Sequence, residues 1–181
     1  MRRKISRLEP RFRDSIGRNA TDELARRQRR KMTFHQAEFR LHHFGYLVPD
    51  IEASAGQFVA RFGYKIETEV IEDPIQTAYV QFLRLPGAPS WLELIAPNGP
   101  NSLLTRALTK GGGFHHLCYE VGDLAGACNK LRSDAMHLLS EPAPAVAFDA
   151  RPIAWLMDRS KFLVELVEDG PGRLRASSLM P

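Results

Sequence analysis

The chain states one pattern twice. Residues 42–51 read HHFGYLVPDI and residues 115–124 read HHLCYEVGDL, so His-His-x-x-Tyr-x-Val-x-Asp followed by Ile or Leu recurs 73 positions later. A second echo keeps nearly the same period: Leu92-Glu93-Leu94-Ile95 is answered by Val164-Glu165-Leu166-Val167. A chain that repeats itself in this way is a duplicated module. Each copy offers a His near its start and a Glu near its end, and two His with two Glu form a donor set suited to a divalent transition metal.

With 181 residues and 44% hydrophobic content, the chain has enough apolar surface for a real core. Its net charge of +4 is unevenly placed. Residues 1–31 carry 12 Lys and Arg against 4 Asp and Glu, whereas the rest carries 13 against 17. The basic character therefore belongs to an N-terminal extension, residues 1–38, which reads as a solvated, disordered segment. It lacks the apolar run of a secretory signal and any stretch long enough to span a bilayer, so neither a membrane nor a nucleic acid is the expected partner. Met32 stands just ahead of the first apolar stretch and is an alternative start. Cys118 and Cys128 are too few for a disulfide framework or a Cys-rich zinc site, which fits a reducing cytoplasm.

From residue 40 the sequence alternates, with Phe44, Tyr46 and Val48 on one side and His43, Gly45 and Leu47 on the other, the period of a strand. Asp50 then caps a helix carrying Ile51, Phe58, Val59 and Phe62, and Gly63 ends it. Three further strands follow, Tyr64 to Val70, Ala78 to Leu83 and Trp91 to Ile95, separated by Asp73-Pro74 and Pro86-Gly87-Ala88-Pro89. The second copy runs in the same order: Phe114 to Val121, a helix from Asp123 to about Ser133, and strands near His137 to Leu139, Pro152 to Met157 and Phe162 to Val167. The expected fold class is α+β, two tandem βαβββ modules (39–97 and 113–169) forming a curved mixed sheet around a metal-binding cleft. Residues 97–113 are the connector, and residues 170–181 read as a mobile tail.

Neighbours on a strand point to opposite faces, so only one His of each pair is expected to join a common site. His43 and His116 lie opposite the large apolar residues, flanked by Gly45 and Cys118, which leave room above the strands. Glu93 and Glu165 sit between apolar neighbours and point away from the packed face. Taken singly, such residues usually face water or bond within a core. Their recurrence in both copies is what favours ligation.

The HHFGYLVPDIEAS and FVARFGY segments, the LELIAP strand, GFHHLCYEV and the closing VELVE resemble the vicinal oxygen chelate superfamily, which includes glyoxalase I, methylmalonyl-CoA epimerase, extradiol dioxygenases and bleomycin-binding proteins. The resemblance covers roughly residues 39–169 and is strongest to the epimerase branch. It implies a metal held by His43, Glu93, His116 and Glu165, the four residues reached from alternation and repeat. It also implies a departure: the epimerases carry a proton-shuttling Glu on the third strand of the first module, and Gln81 in AYVQFL stands at the matching position. An amide exchanges no proton at neutral pH.

Four ligands leave two positions of an octahedral ion for neighbouring substrate oxygens. The expected chemistry is proton abstraction next to a carbonyl or thioester by a metal-dependent isomerase or lyase, with Glu165 or Glu93 as base and one Co, Ni, Zn, Mn or Fe ion. Gln81 is a candidate for orienting the substrate and Arg151 a candidate anion clamp. The expected substrate is an acyl-CoA or another carbonyl compound. A glyoxalase I-type lyase and a metal-free binding or resistance protein are the alternatives; an extradiol dioxygenase, with two His and one carboxylate on iron, fits less well because of the fourth ligand. The modules close either within one chain or by exchange in a homodimer.

Overall fold

The computed structural model describes residues 39–171 and 174. The basic extension lies outside the described residues. Strands β1 (Arg40–Leu47), β2 (Lys65–Ile66), β3 (Ile71–Asp73), β4 (Ala78–Arg84) and β5 (Trp91–Pro97) belong to the first module, with helix α1 (Ile51–Phe62) after β1. A short helix α2 (Thr105–Thr109) lies in the connector. The second module comprises β6 (Gly113–Val121), α3 (Leu124–Ser133), β7 (His137–Leu138), β8 (Ala143–Pro144), β9 (Pro152–Met157) and β10 (Leu163–Glu168), with a 3-10 turn at Val146–Phe148. All ten strands form one mixed sheet, in the order β2-β4-β5-β1-β6-β10-β9-β7, with β3 beside β4 and β8 beside β9. The α+β class and the tandem modules are as the repeat predicts.

Local chemistry explains the helix boundaries. The Asp50 carboxylate accepts the Ala53 amide at 2.9 Å, and Gly63 takes a left-handed conformation (φ 73°) that closes α1. Asp123 repeats the cap on α3 by accepting the Gly126 amide at 2.9 Å. The α1 stripe is narrower than its spacing suggests. Ile51 and Ala55 are buried, whereas Val59 and Phe62 are exposed.

The expected strand Tyr64 to Val70 is broken into two short pieces. Lys65 faces Arg84, a register that would bring Ile71 opposite Ala78, yet Ile71 faces Val80. Thr68 fills the break: its hydroxyl accepts the Phe82 amide at 3.0 Å, and its carbonyl accepts from Gln81 Nε2 at 3.1 Å. Backbone groups that lose ladder partners there are satisfied by side chains instead.

The two faces of the sheet have separate cores. Under α1, Leu83, Leu92 and Leu94 pack with Ile51 and Ala55; under α3, Val121, Leu156 and Leu166 pack with Leu124 and Ala127. The other face carries Val80, Phe82, Ile95, Cys118, Phe148, Ile153 and Val167. Between the two helices the central pair β1 and β6 has a thinner cover, so Phe44 and Tyr46, expected under a helix, are exposed. Leu174, in the stretch expected to be mobile, is buried in the inner core.

Candidate metal centre

Strands β1 and β6 run antiparallel at the join of the modules, with His43 opposite Cys118 and His116 opposite Gly45. Positions equivalent under the repeat thus meet across the seam. A Cβ on Gly45 would overlap the His116 ring, so the space above Gly45 belongs to the histidine. Each first strand lies parallel to the last strand of its module, which sets Glu93 beside Gly45 and Glu165 beside Cys118.

The structure brings His43, Glu93, His116 and Glu165 together. His43 Nε2 lies 3.3 Å from Glu93 Oε2, 3.3 Å from Glu165 Oε2 and 2.9 Å from His116 Nε2. His116 Nε2 lies 3.5 Å from Glu93 Oε2 and 3.4 Å from Glu165 Oε2. All four side chains are buried. Ligands about 2.1 Å from a single ion stand about 3.0 Å apart at right angles and about 3.4 Å apart in a tetrahedron, so the donor atoms of His43, Glu93 and His116 lie close enough to share one ion, and Glu165 Oε2 stands 3.3 to 3.4 Å from both His nitrogens.

Each His pair contains a β-bulge, so the two rings of a pair do not take opposite faces, although only His43 and His116 reach the cluster. From Leu41 to His43 the first strand advances two residues while β6 advances one, and near Gly45 to Tyr46 the extra residue falls in β6 at His115. His42 and His115 are the inserted residues, and a bulge re-aims side chains in this way. His42 is fully buried on the inner side, with its ring centroid 5.3 Å from that of Phe148. Its Nδ1 lies 2.8 Å from His43 Nδ1, and its Nε2 bonds the Leu174 carbonyl. His115 Nδ1 lies 2.9 Å from His116 Nδ1.

These contacts fix the tautomers. The Leu174 carbonyl only accepts, so His42 carries its proton on Nε2 and accepts at Nδ1. His43 then donates Nδ1–H and presents Nε2 to the cluster, the nitrogen that would face a metal once its proton is given up. Burial and the neighbouring His43 hold the pKa of His42 down at about 3, and burial with His116 holds His115 at about 4, so both stay neutral. Burial also opposes charge on His43, but Glu93 and Glu165 outweigh it and push its pKa up to about 9. For Glu165, burial is outweighed by His116 and His43, which hold its carboxyl well below the ordinary range. Burial first, then Glu165, pushes the Cys118 thiol well above its usual range.

A cavity of about 340 Å³ opens beside the cluster, with Glu93, His116 and Glu165 in its wall. Its other walls are mostly apolar and include Val80, Ile95, Leu104, Phe148, Trp155 and Leu163. Gln81 is not among them. It faces Leu94 across the strand pair and lies on the helix side of the sheet, because Val80 and Phe82 take the inner positions of β4. Arg151 is not a clamp facing the cavity either. It is buried, with Nε donating to the Phe148 carbonyl at 3.2 Å, Nη1 to Glu120 at 3.4 Å and to the Glu168 carbonyl at 3.3 Å, and Nη2 to the Leu174 carbonyl at 2.8 Å.

Sequence reasoning missed Asp73, Gln76, His115 and Trp155, which line the cavity. Asp73 is buried and already engaged: Oδ1 accepts the Ile75 and Gln76 amides at 3.0 Å each, and Oδ2 accepts the Val146 amide at 3.2 Å. Its Asp-Pro turn was legible, but the inward direction of that turn was not.

The family model for the glyoxalase/bleomycin resistance protein/dioxygenase superfamily matches residues 42–155. The chain is 33% identical over 131 residues to an ethylmalonyl-CoA/methylmalonyl-CoA epimerase of Cereibacter sphaeroides, covering 70% of this chain and 96% of that one. It is 31% identical over 131 residues to a mitochondrial methylmalonyl-CoA epimerase of Mus musculus, covering 70% and 71%. Among solved structures, a methylmalonyl-CoA epimerase from Mycobacterium tuberculosis superimposes with a TM-score of 0.65 at 28% identity, covering 72% of this chain and 88% of that one.

Proposed function

Because the chain belongs to the glyoxalase/bleomycin resistance protein/dioxygenase superfamily, we propose that it is a metal-dependent isomerase or lyase of the methylmalonyl-CoA epimerase kind, moving a proton next to a carbonyl or thioester. The carrying observation is the convergence of His43, Glu93, His116 and Glu165 from four strands of both modules, each His Nε2 lying 2.9 to 3.5 Å from the other His and from both carboxylates beside a cavity. His43, Glu93, His116 and Glu165 would hold one divalent ion of Co, Ni, Zn, Mn or Fe. When bound, such an ion supplies Lewis acidity to a carbonyl oxygen and lowers the cost of removing the neighbouring proton.

The protein's own residues handle the proton. Asp73 is committed to three backbone amides, and Gln81 faces away, so among the described residues Glu93 and Glu165 are the cavity carboxylates left to act as base. They come from equivalent strands, β5 and β10, on either side of the module join. A carbon held between them has one carboxylate from each module. Proton removal by one and return by the other inverts that carbon; removal and return by the same one shifts a proton without inversion. Each chain supplies all four cluster residues, so a homodimer is compatible with the site but not needed to complete it. The free, buried Cys118 and Cys128 agree with a reducing compartment such as the cytoplasm, and among the described residues no helix is long and apolar enough to cross a membrane.

A glyoxalase I-type lyase is the second reading, favoured by a carboxylate in both Glu93 and Glu165. Metal-loaded protein in deuterated water tests the two together. Loss of the α-proton signal of methylmalonyl-CoA, without turnover of the hemithioacetal of methylglyoxal and glutathione, supports the first reading. The opposite pattern supports the second, and silence in both contradicts the proposal.

A further inference from the structure

We infer that Gln76 binds substrate oxygen: its carboxamide, clamped by Trp155, presents N–H donors to a carbonyl or carboxylate oxygen in the cavity. The inference deepens the proposed function and rests on the cavity beside the His-Glu cluster being the substrate site. Gln76 lies in the turn between β3 and β4, and its amide is fixed by the buried Asp73 carboxylate at 3.0 Å. The same carboxylate accepts the Val146 amide of the second module at 3.2 Å, so the turn is tied to both modules.

The direction of the side chain is set by chemistry. Trp155 Nε1 donates to Gln76 Oε1 at 3.1 Å, and an indole N–H can only donate. The amide oxygen must therefore face Trp155, which leaves Nε2 pointing elsewhere. No other described residue accepts a hydrogen bond from Nε2. The Trp155 ring in turn packs on His116, with centroids 4.8 Å apart, so the amide is held one indole away from the cluster.

The cavity makes such a donor useful. Its walls include Asp73, Glu93 and Glu165 but no Lys or Arg among the described residues. A substrate oxygen not facing the cluster must find a neutral donor, and Gln76 offers one already oriented. A carboxamide neither takes nor gives a proton near neutrality, so Gln76 binds and does not act as base. Trp155 acts through it and is a positioning residue.

Methylmalonate is the probe, titrated by calorimetry into the cobalt-loaded full chain and into Q76A, Q76E, W155F and W155F/Q76A, with metal content and melting temperature measured alongside. Q76E keeps an acceptor for the Trp155 N–H while removing the donor, so it separates folding from binding. We expect Q76A to weaken binding roughly tenfold and Q76E to weaken it further, at unchanged metal content. W155F should weaken binding in the native background and have no effect in the Q76A background, a dependence that a packing role would not produce. Wild-type affinity in metal-loaded Q76A, with or without loss in Q76E, overturns the inference alone. A wild-type chain that takes up no cobalt and binds no methylmalonate overturns the reading of the site, and the inference with it.

Discussion

Gly45 carries no side chain, and the cluster depends on that, because a Cβ there would overlap the His116 ring. We predict that Gly45→Ala loses most of its metal while the rest of the sheet folds, as seen by metal analysis together with circular dichroism. His43 gives a pH prediction for the metal-free protein. Its pKa is raised from the ordinary 6.5 to about 9 by Glu93 and Glu165 acting against burial, so its proton stabilises the fold fully below pH 6.5 and that contribution fades as pH rises through 9. Metal must displace this proton. Apparent metal affinity should then rise about tenfold per pH unit up to about pH 9 and level off above it, with about one proton released per ion in buffer-dependent calorimetry. Strand alternation was enough to aim His43, Glu93, His116 and Glu165 at one face. The same rule aims Gln81 to the helix side, and its expected place in the site came from the family resemblance, not from the strand period.

At the scale of strands and turns, the tandem His pairs show what a sequence hides. Alternation assigns His42 and His115 to the far face, but a one-residue bulge at each returns both rings to the inner side, where they bond the Nδ1 atoms of His43 and His116. Nothing in the composition of LHHFG or FHHLC marks a bulge, because the extra residue is defined only against its partner strand. We predict that His42→Phe, which keeps a ring against Phe148 but removes the bond, lowers metal affinity about 10- to 100-fold in competition titrations with a chelator. Arg151 was expected to clamp an anion and instead joins Glu120, the turn at Phe148 and the segment at Leu174. Removing it leaves the fully buried Glu120 with fewer partners, Arg40 lying 3.7 Å away. Arg151→Met should therefore lower stability in urea melts by about 3 kcal/mol. An unchanged melt with weakened substrate binding would restore the clamp.

At the scale of the whole domain, the repeat specified most of the architecture: two βαβββ modules whose first strands pair at the centre of one sheet. The small breaks, where β2 gives way to β3 and β7 to β8, were less legible because short edge pieces are set by side-chain substitutes such as Thr68 and not by hydrophobic period. Pairing of the modules within one chain gives each chain its own His43, Glu93, His116 and Glu165. Mixing His43→Ala protein with Glu165→Ala protein under conditions that allow subunits to exchange should restore no metal site; exchanged modules would restore a fraction of them. The most direct test of the account is the metal content of protein purified without chelators or a His tag, beside Glu93→Ala and Glu165→Ala. About one equivalent of a divalent transition metal, lost in both variants while both remain folded, is the predicted result. A wild-type chain that neither carries such an ion nor takes up cobalt or nickel on titration would contradict it.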